Sequence, residues 1–302
     1  MNPPQAAFED SAASTGSAKA KANAQGLAGA KTRQEVPGGR RRKKPHRLQI
    51  FKDIGPRPFA LTAGFSFLLL LLVWSALSYT KAVNPIFLPS PDIVLREMIH
   101  QLGTSAYWHH IGISVFRVTG GFLLACLIGI PIGIFAGTFK YGEAFIEPPM
   151  EFIRYMPAVA FIPLIMVWVG IGEWAKIMLI FIGCFFQLVL MVADNVRRVP
   201  QDLLQASFTL GASRWKAIET VLIPAIQPQL MHTLRLILGW AWTYLVVAEL
   251  VAVNSGLGYA IMKAQRYLNT DQIFVGIIVI GLLGLISDRI FALMNKRFFP
   301  WV

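Results

Sequence analysis

The sequence predicts an all-α polytopic membrane protein with six transmembrane helices. Hydrophobic residues make up 55% of its 302 residues and charged residues only 15%, whereas a soluble domain carries roughly a quarter charged. Apolar runs of about 20 residues, the length that crosses a bilayer as helix, recur along the chain. The excess of Lys and Arg, a net charge of +12, concentrates in the amino-terminal tail and in alternate connections, as a positive-inside bias requires. That bias accounts for the charge without nucleic acid.

Residues 1 to about 45 are rich in Ala, Gly, Ser and Lys and lack the apolar surface that would offset the entropy of ordering. They are expected to be a disordered basic tail, with 46–302 forming the membrane domain. The cluster Arg40 to Lys44 with Arg47 stands just before the first span, where anionic headgroups hold such clusters on the cytoplasmic side. That span, about 59–79, starts too late for a cleavable signal peptide.

A polar stretch, Lys81 to His110, follows. Ser90 and Pro91 read as the cap and first position of a short helix, with Ile93, Met98, Ile99 and Leu102 at helical spacing for an outer surface. His109 and His110, adjacent on a helix and without a carboxylate or Cys cluster, read as interfacial residues rather than metal ligands. Further spans are expected at about 111–137, 144–169, 174–196, 221–253 and 272–294. The second carries Gly120, Gly121, Gly129, Gly133 and Gly137, which allow close helix approach. The third carries Pro148, Pro149, Pro157 and Pro163, which are expected to kink it. The two cysteines, Cys126 and Cys184, lie in apolar runs and read as buried small residues. With the tail inside, the connections at 138–143 and 197–220 and the carboxy terminus are cytoplasmic.

The connection at 197–220 holds the most specific pattern in the chain. Gln205-Ala206-Ser207 is followed by Gly211 and then by Val221-Leu-Ile223-Pro224. Asp202 near the start and Arg214 and Lys216 near the end suit the dipole of a short helix over about 201–213, and Gly211 suits its end. Read physically, this is an amphipathic helix on the cytoplasmic membrane surface, and an ordinary interfacial connector has the same composition.

The spacing resembles the EAA loop of ABC-importer permeases, E-A-A, three residues, G, nine residues, I-x-L-P, with Gln205 in place of Glu and Ser207 in place of Ala. Arg154-Tyr-Met-Pro157, Trp168-Val-Gly-Ile-Gly-Glu173 with Lys176, and Ala248-Glu249 followed by Gly256-Leu-Gly258 resemble the nitrate, sulfonate/taurine and bicarbonate uptake group. The resemblance covers roughly residues 60–300. It implies the type I ABC importer permease fold, a bacterial inner-membrane location and transport of a small anion. It also implies a second permease copy, an extracytoplasmic binding protein, and two ATPase subunits that hold ATP and Mg and grip the loop. Asp202, Gln205, Ala206, Ser207, Gly211, Arg214 and Pro224 would then form the coupling surface.

No phosphate-binding Gly-x-x-x-x-Gly-Lys-Ser/Thr loop occurs, so ATP hydrolysis is expected on a partner and no cofactor on this chain. No nucleophile elbow, His-Glu-x-x-His motif or Cys pair occurs either, which argues against an intramembrane enzyme. A secondary transporter or channel working without an ATPase is the remaining alternative, although inverted repeats are not evident.

Polar groups inside spans are the candidates for a pathway. At 1.5 Å per residue, Arg154 lies roughly 15 Å and Arg235 roughly 20 Å from the cytoplasmic side, and Gln187 roughly 20 Å from the outside. All three could meet near the bilayer centre and bind an anion, or each Arg could pair with a carboxylate or helix carbonyls. Glu249 joins them as a candidate, although it, Asp194 and Asp288 lie near span ends, where neutralising contacts are the alternative.

Overall fold

The computed structural model describes residues 55–250 and 254–300. The expected disordered tail lies outside the described residues. Eleven α-helices and no strands are found among them.

Helix α1, Pro56–Tyr79, is an apolar rod that packs on the rest of the chain only near its end. Trp74 donates through Nε1 to the Pro89 carbonyl at 3.1 Å and stacks on Phe274, and Ser78 donates to the Leu88 carbonyl. Helix α2, Pro91–Leu102, starts where Pro91 predicts, and it buries Val94 in a cluster with Leu257 and Val275. Ser90 holds the cap position, but its hydroxyl bonds no amide of the helix.

The core is built by α3, Ser105–Thr138, α6, Glu173–Arg197, and α9, Ile223–Leu250. Helices α3 and α6 run parallel, because the glycines of α3 meet ascending positions of α6. A Cβ on Gly121 would lie 2.7 Å from the Ile180 Cβ, one on Gly133 2.6 Å from the Val192 Cβ, and one on Gly137 2.7 Å from the Ala193 carbonyl. Only glycine fits at those three contacts, as close packing between apolar helices demands. Gly120 is different, with its nearest neighbour at an ordinary 3.4 Å. Cys184 is buried in this core and Cys126 partly so.

The third span, expected at 144–169 with kinks at its prolines, is broken rather than merely kinked. It consists of α4, Lys140–Arg154, a 3₁₀ turn at Ala158–Phe161 and α5, Ile162–Val169, and the two helical parts are bent by 94°. Pro148 and Pro149 sit inside α4 without breaking it, and Pro163 starts α5. The break falls at Tyr155–Pro157, since a residue before proline is pushed out of helical geometry.

After α6 come α7, Gln201–Thr209, and α8, Arg214–Ala217, which leads through a π-turn at Ile218–Leu222 into α9. The widened turn lies just ahead of Pro224, which has no N–H to donate and crowds the carbonyl four residues back. Then α10, Leu257–Arg266, and α11, Thr270–Phe298, close the fold. Five helices are long and apolar enough to cross a membrane, six if the bent pair counts as one span.

Candidate functional site

At the end of the bundle where α3 and α6 finish and α9 begins, the predicted coupling segment is two helices rather than one over 201–213. Gly211 explains the interruption. Its φ is +84°, its amide bonds the Phe208 carbonyl at 2.9 Å, and the next amide, Ala212, reaches the Ser207 carbonyl at 3.0 Å. That pair of bonds is a Schellman ending, which places glycine at the left-handed position. Ser213 then restarts the chain by accepting from the Lys216 amide.

The expected contact residues divide between two faces. Ser207 is turned inward, its hydroxyl donating to the Leu204 carbonyl, and Leu204 packs on Val196, Leu222 and Ile226. Asp202, Gln205, Ala206, Gly211, Arg214 and Pro224 are exposed. Between them the segment presents Leu203, Phe208, Leu210 and Trp215 to the outside, Leu210 at 88% and Trp215 at 73% exposure. Nothing in the described chain lies within 4 Å of a Cβ built on Gly211. Behind this surface, Arg197 is held by Asp194 at 2.6 Å and by Glu147, and Lys140 pairs with Glu143. Asp194 is thus neutralised, the alternative foreseen for it.

At the opposite end, where α3 and α6 start and α9 finishes, lies a buried ion cluster centred on Arg117, whose side chain is 0% exposed. Its five N–H donors all find acceptors. Nε and Nη2 hold the Glu173 carboxylate at 2.6 and 2.8 Å, Nη1 reaches Glu249 at 2.5 Å and the Ser255 carbonyl at 2.8 Å, and Nη2 also reaches the Ser255 hydroxyl at 3.2 Å. Lys176 adds a second cation on Glu173 at 2.8 Å. Glu249, fully buried, also accepts from the Ser114 hydroxyl at 2.8 Å and the Gly258 amide at 2.7 Å. Two cations and two carboxylates cancel, as burial of Arg117 and Glu249 requires, while Glu173 is half exposed at the edge of the cluster.

The glycines of the 254–258 turn belong to this cluster. A Cβ on Gly256, where φ is +112°, would stand 2.4 Å from a Glu249 oxygen, and one on Gly258 2.6 Å from the Glu249 Cβ. His110, read from sequence as interfacial, accepts the Gly256 amide at Nδ1 and so helps to fix the turn. Arg117 is the residue that sequence reasoning passed over. A lone arginine inside an otherwise apolar span was the available signal.

Between the two ends, Arg154 and Gln187 come together in the wall of one cavity of about 450 Å³, with Phe186, Trp240, Thr243 and Tyr244. Arg235 does not join them. It is taken up bidentately by Asp288, with Nη2 at 2.7 Å. Glu249 stands in the ion cluster and is likewise absent from that wall.

Comparisons with known proteins place this bundle among membrane transport components. The family model described as binding-protein-dependent transport system inner membrane component matches residues 129–300. The chain belongs to that family. The permease is 33% identical over 237 residues to the taurine transport system permease protein TauC of Escherichia coli, covering 77% of this chain and 86% of that protein. It is 29% identical over 252 residues to the bicarbonate transport system permease protein CmpB of Synechococcus elongatus, covering 79% and 87% respectively. Among solved structures, a chain of the inward-facing MetNI methionine ABC transporter aligns with 68% of the permease and 97% of its own length, at 22% identity and a TM-score of 0.48. By its family and these sequence relatives, the permease is a multi-pass transport subunit of the ABC importer class.

Proposed function

We propose that two copies of this chain form the translocation pathway of an ATP-driven importer for a small anion. Separate ATPase subunits hold ATP and Mg and grip the 201–216 segment, one on each copy. An extracytoplasmic binding protein delivers the substrate at the end that carries the Arg117 cluster. Both termini then lie in the cytoplasm of a bacterium, the chain spans its inner membrane with lipid around the apolar faces, and residues 1 to about 45 are a dispensable tail. The transported class, anions such as sulfonates or bicarbonate, follows the names of the relatives.

The observation that carries this reading is the 201–216 segment. Leu203, Phe208, Leu210 and Trp215 are exposed together, an apolar patch of the kind that a partner's surface covers. Such a surface converts motion of a partner into motion of α6 and α9, which the segment joins directly.

The test is replacement of Gly211 by Leu. Leucine at φ +84° is strained, at a cost of about 1–2 kcal/mol, but it meets no atom of this chain. The variant should insert and stay monodisperse while ATPase association and substrate-stimulated hydrolysis fall at least tenfold in the reconstituted complex. Normal uptake and stimulation by Gly211→Leu would make the segment a passive connector and remove the proposal. Robust ATP hydrolysis by the chain alone would remove the division of labour.

A further inference from the structure

The geometry points to a binding subsite for the acid group of an organic anion in the cavity lined by Arg154, with the hydrocarbon part of that anion on the aromatic wall. This rests on the reading of the chain as an anion permease, and it narrows the class of anion. Arg154 has five N–H donors, of which one is engaged inside the described chain, an Nη2 bond of 2.9 Å to the Tyr155 hydroxyl. Its Nε is buried without a partner, and among the described residues no carboxylate stands within ion-pair distance of its guanidinium. Arg117, Arg197 and Arg235 all have carboxylates. A cation at membrane depth without a counter-ion is costly, and a ligand carboxylate or sulfonate would supply one, with bidentate geometry that a guanidinium matches.

The rest of the wall selects what is attached to that acid group. Gln187, Thr243 and Tyr244 add polar groups near Arg154, whereas Phe186 and Trp240 present apolar surface. At about 450 Å³ the space falls within the roughly 300–1,000 Å³ of small-molecule sites. A lone inorganic oxyanion would stay largely hydrated there and leave the aromatic rings wet. An anion with a short hydrocarbon body fills more of the space and buries that apolar area. The width of the cavity is set by Gly183. A Cβ there would come within 2.4 Å of the Tyr244 ring, so any larger residue forces the ring to move.

The experiment uses the full-length chain in lipid nanodiscs, with Trp240 as a fluorescent reporter and butane-1-sulfonate as the probe. A saturable signal is expected, absent from Trp240→Phe. Its apparent Kd should rise at least tenfold in Arg154→Gln and by less in Arg154→Lys, which keeps the charge but loses the fork. Butan-1-ol and inorganic sulfate should each bind at least tenfold more weakly than the probe. Unchanged affinity in Arg154→Gln overturns the subsite, and sulfate binding as tightly as butane-1-sulfonate overturns the organic class. Should Arg154→Gln fail to give a monodisperse peak, Gly183→Ala decides the same point, since a displaced Tyr244 ring must weaken the probe at least threefold if the cavity is the site. ATP-driven uptake by the assembled complex is read separately. Uptake that persists while these binding results fail removes the subsite and leaves the permease reading intact, whereas binding without any ATP-driven uptake does the reverse.

Discussion

Arg117 and Arg154 are the same side chain on successive spans, and their surroundings could hardly differ more. Arg117 satisfies all five donors inside the protein and neutralises the buried Glu249 and the half-exposed Glu173. Arg154 uses one donor, keeps an unpartnered Nε and faces a cavity. Arg235 is intermediate, with a single carboxylate and partial exposure. A charge buried for architecture is closed by its own chain, and a charge kept for a ligand is left open.

The largest effect is expected at Arg117. Replacing it with Leu leaves Glu249 charged, buried and without its cation, which should cost about 3–5 kcal/mol. Adding Glu249→Gln to that variant should recover part of the loss, because the orphaned charge is then gone. Chemical unfolding in detergent measures both. If Arg117→Leu unfolds with the wild-type midpoint, the cluster is not what holds this end of the bundle.

Gly256→Ala tests the same region from the backbone side. Its Cβ would meet Glu249 and Arg117 while φ stays at +112°, so a loss of about 1–3 kcal/mol is expected, again from the unfolding midpoint. The contrast with Arg154 sharpens here. Arg154→Gln removes no internal ion pair and relieves an unpaired charge, so it should alter ligand binding without lowering stability. A large loss of stability in Arg154→Gln would mean that its structural partners, not a ligand, account for it.

The smallest effect belongs to Asp92, in the exposed α2 region. Hydrogen bonds from the Ser90 and Tyr79 hydroxyls hold its carboxyl below the usual carboxylate value. Because the folded-state pKa is the lower one, its contribution is present above the unfolded value of about 3.9 and fades as pH falls through the folded value. Asp92→Asn and wild type should therefore differ slightly at pH 6 and converge as pH falls through the folded value. A gap that widens on acidification would reverse the sign of that linkage.

Much of the fold was legible because span length and helical rise are intrinsic to the chain. The positions of the spans and the short helix after Pro91 follow from apolar runs and Pro/Gly punctuation. The family motifs were legible as motifs, but their meeting point was not. Glu173 and Lys176 lie more than fifty residues from Arg117, and Glu249 and the 254–258 turn more than a hundred and thirty, so only tertiary packing could join them. Depth in the membrane follows from counting residues, whereas the direction a side chain faces around its helix depends on neighbours. That is why Arg154 and Gln187 met as expected while Arg235, at similar depth, turned to Asp288. The break of the third span could not be located either, since four prolines competed and only Pro157 had unwound backbone before it.

The glycine stripe between α3 and α6 has a mechanical consequence. One turn along α3 from Gly121 lie Arg117 and Ala125, side chains that Ile180 could not pass without a clash. One turn either side of Gly133 lie Gly129 and Gly137, and a shift of one helical pitch, about 5.4 Å, would set glycine against Val192 once more. The register of the pair is thus unique at the end that holds the ion cluster, whereas glycine repeats at each turn toward the end that carries α7 and α8. A pull on the 201–216 segment would act on the pair at the end where glycine recurs, a helix length away from the side chains that fix its register.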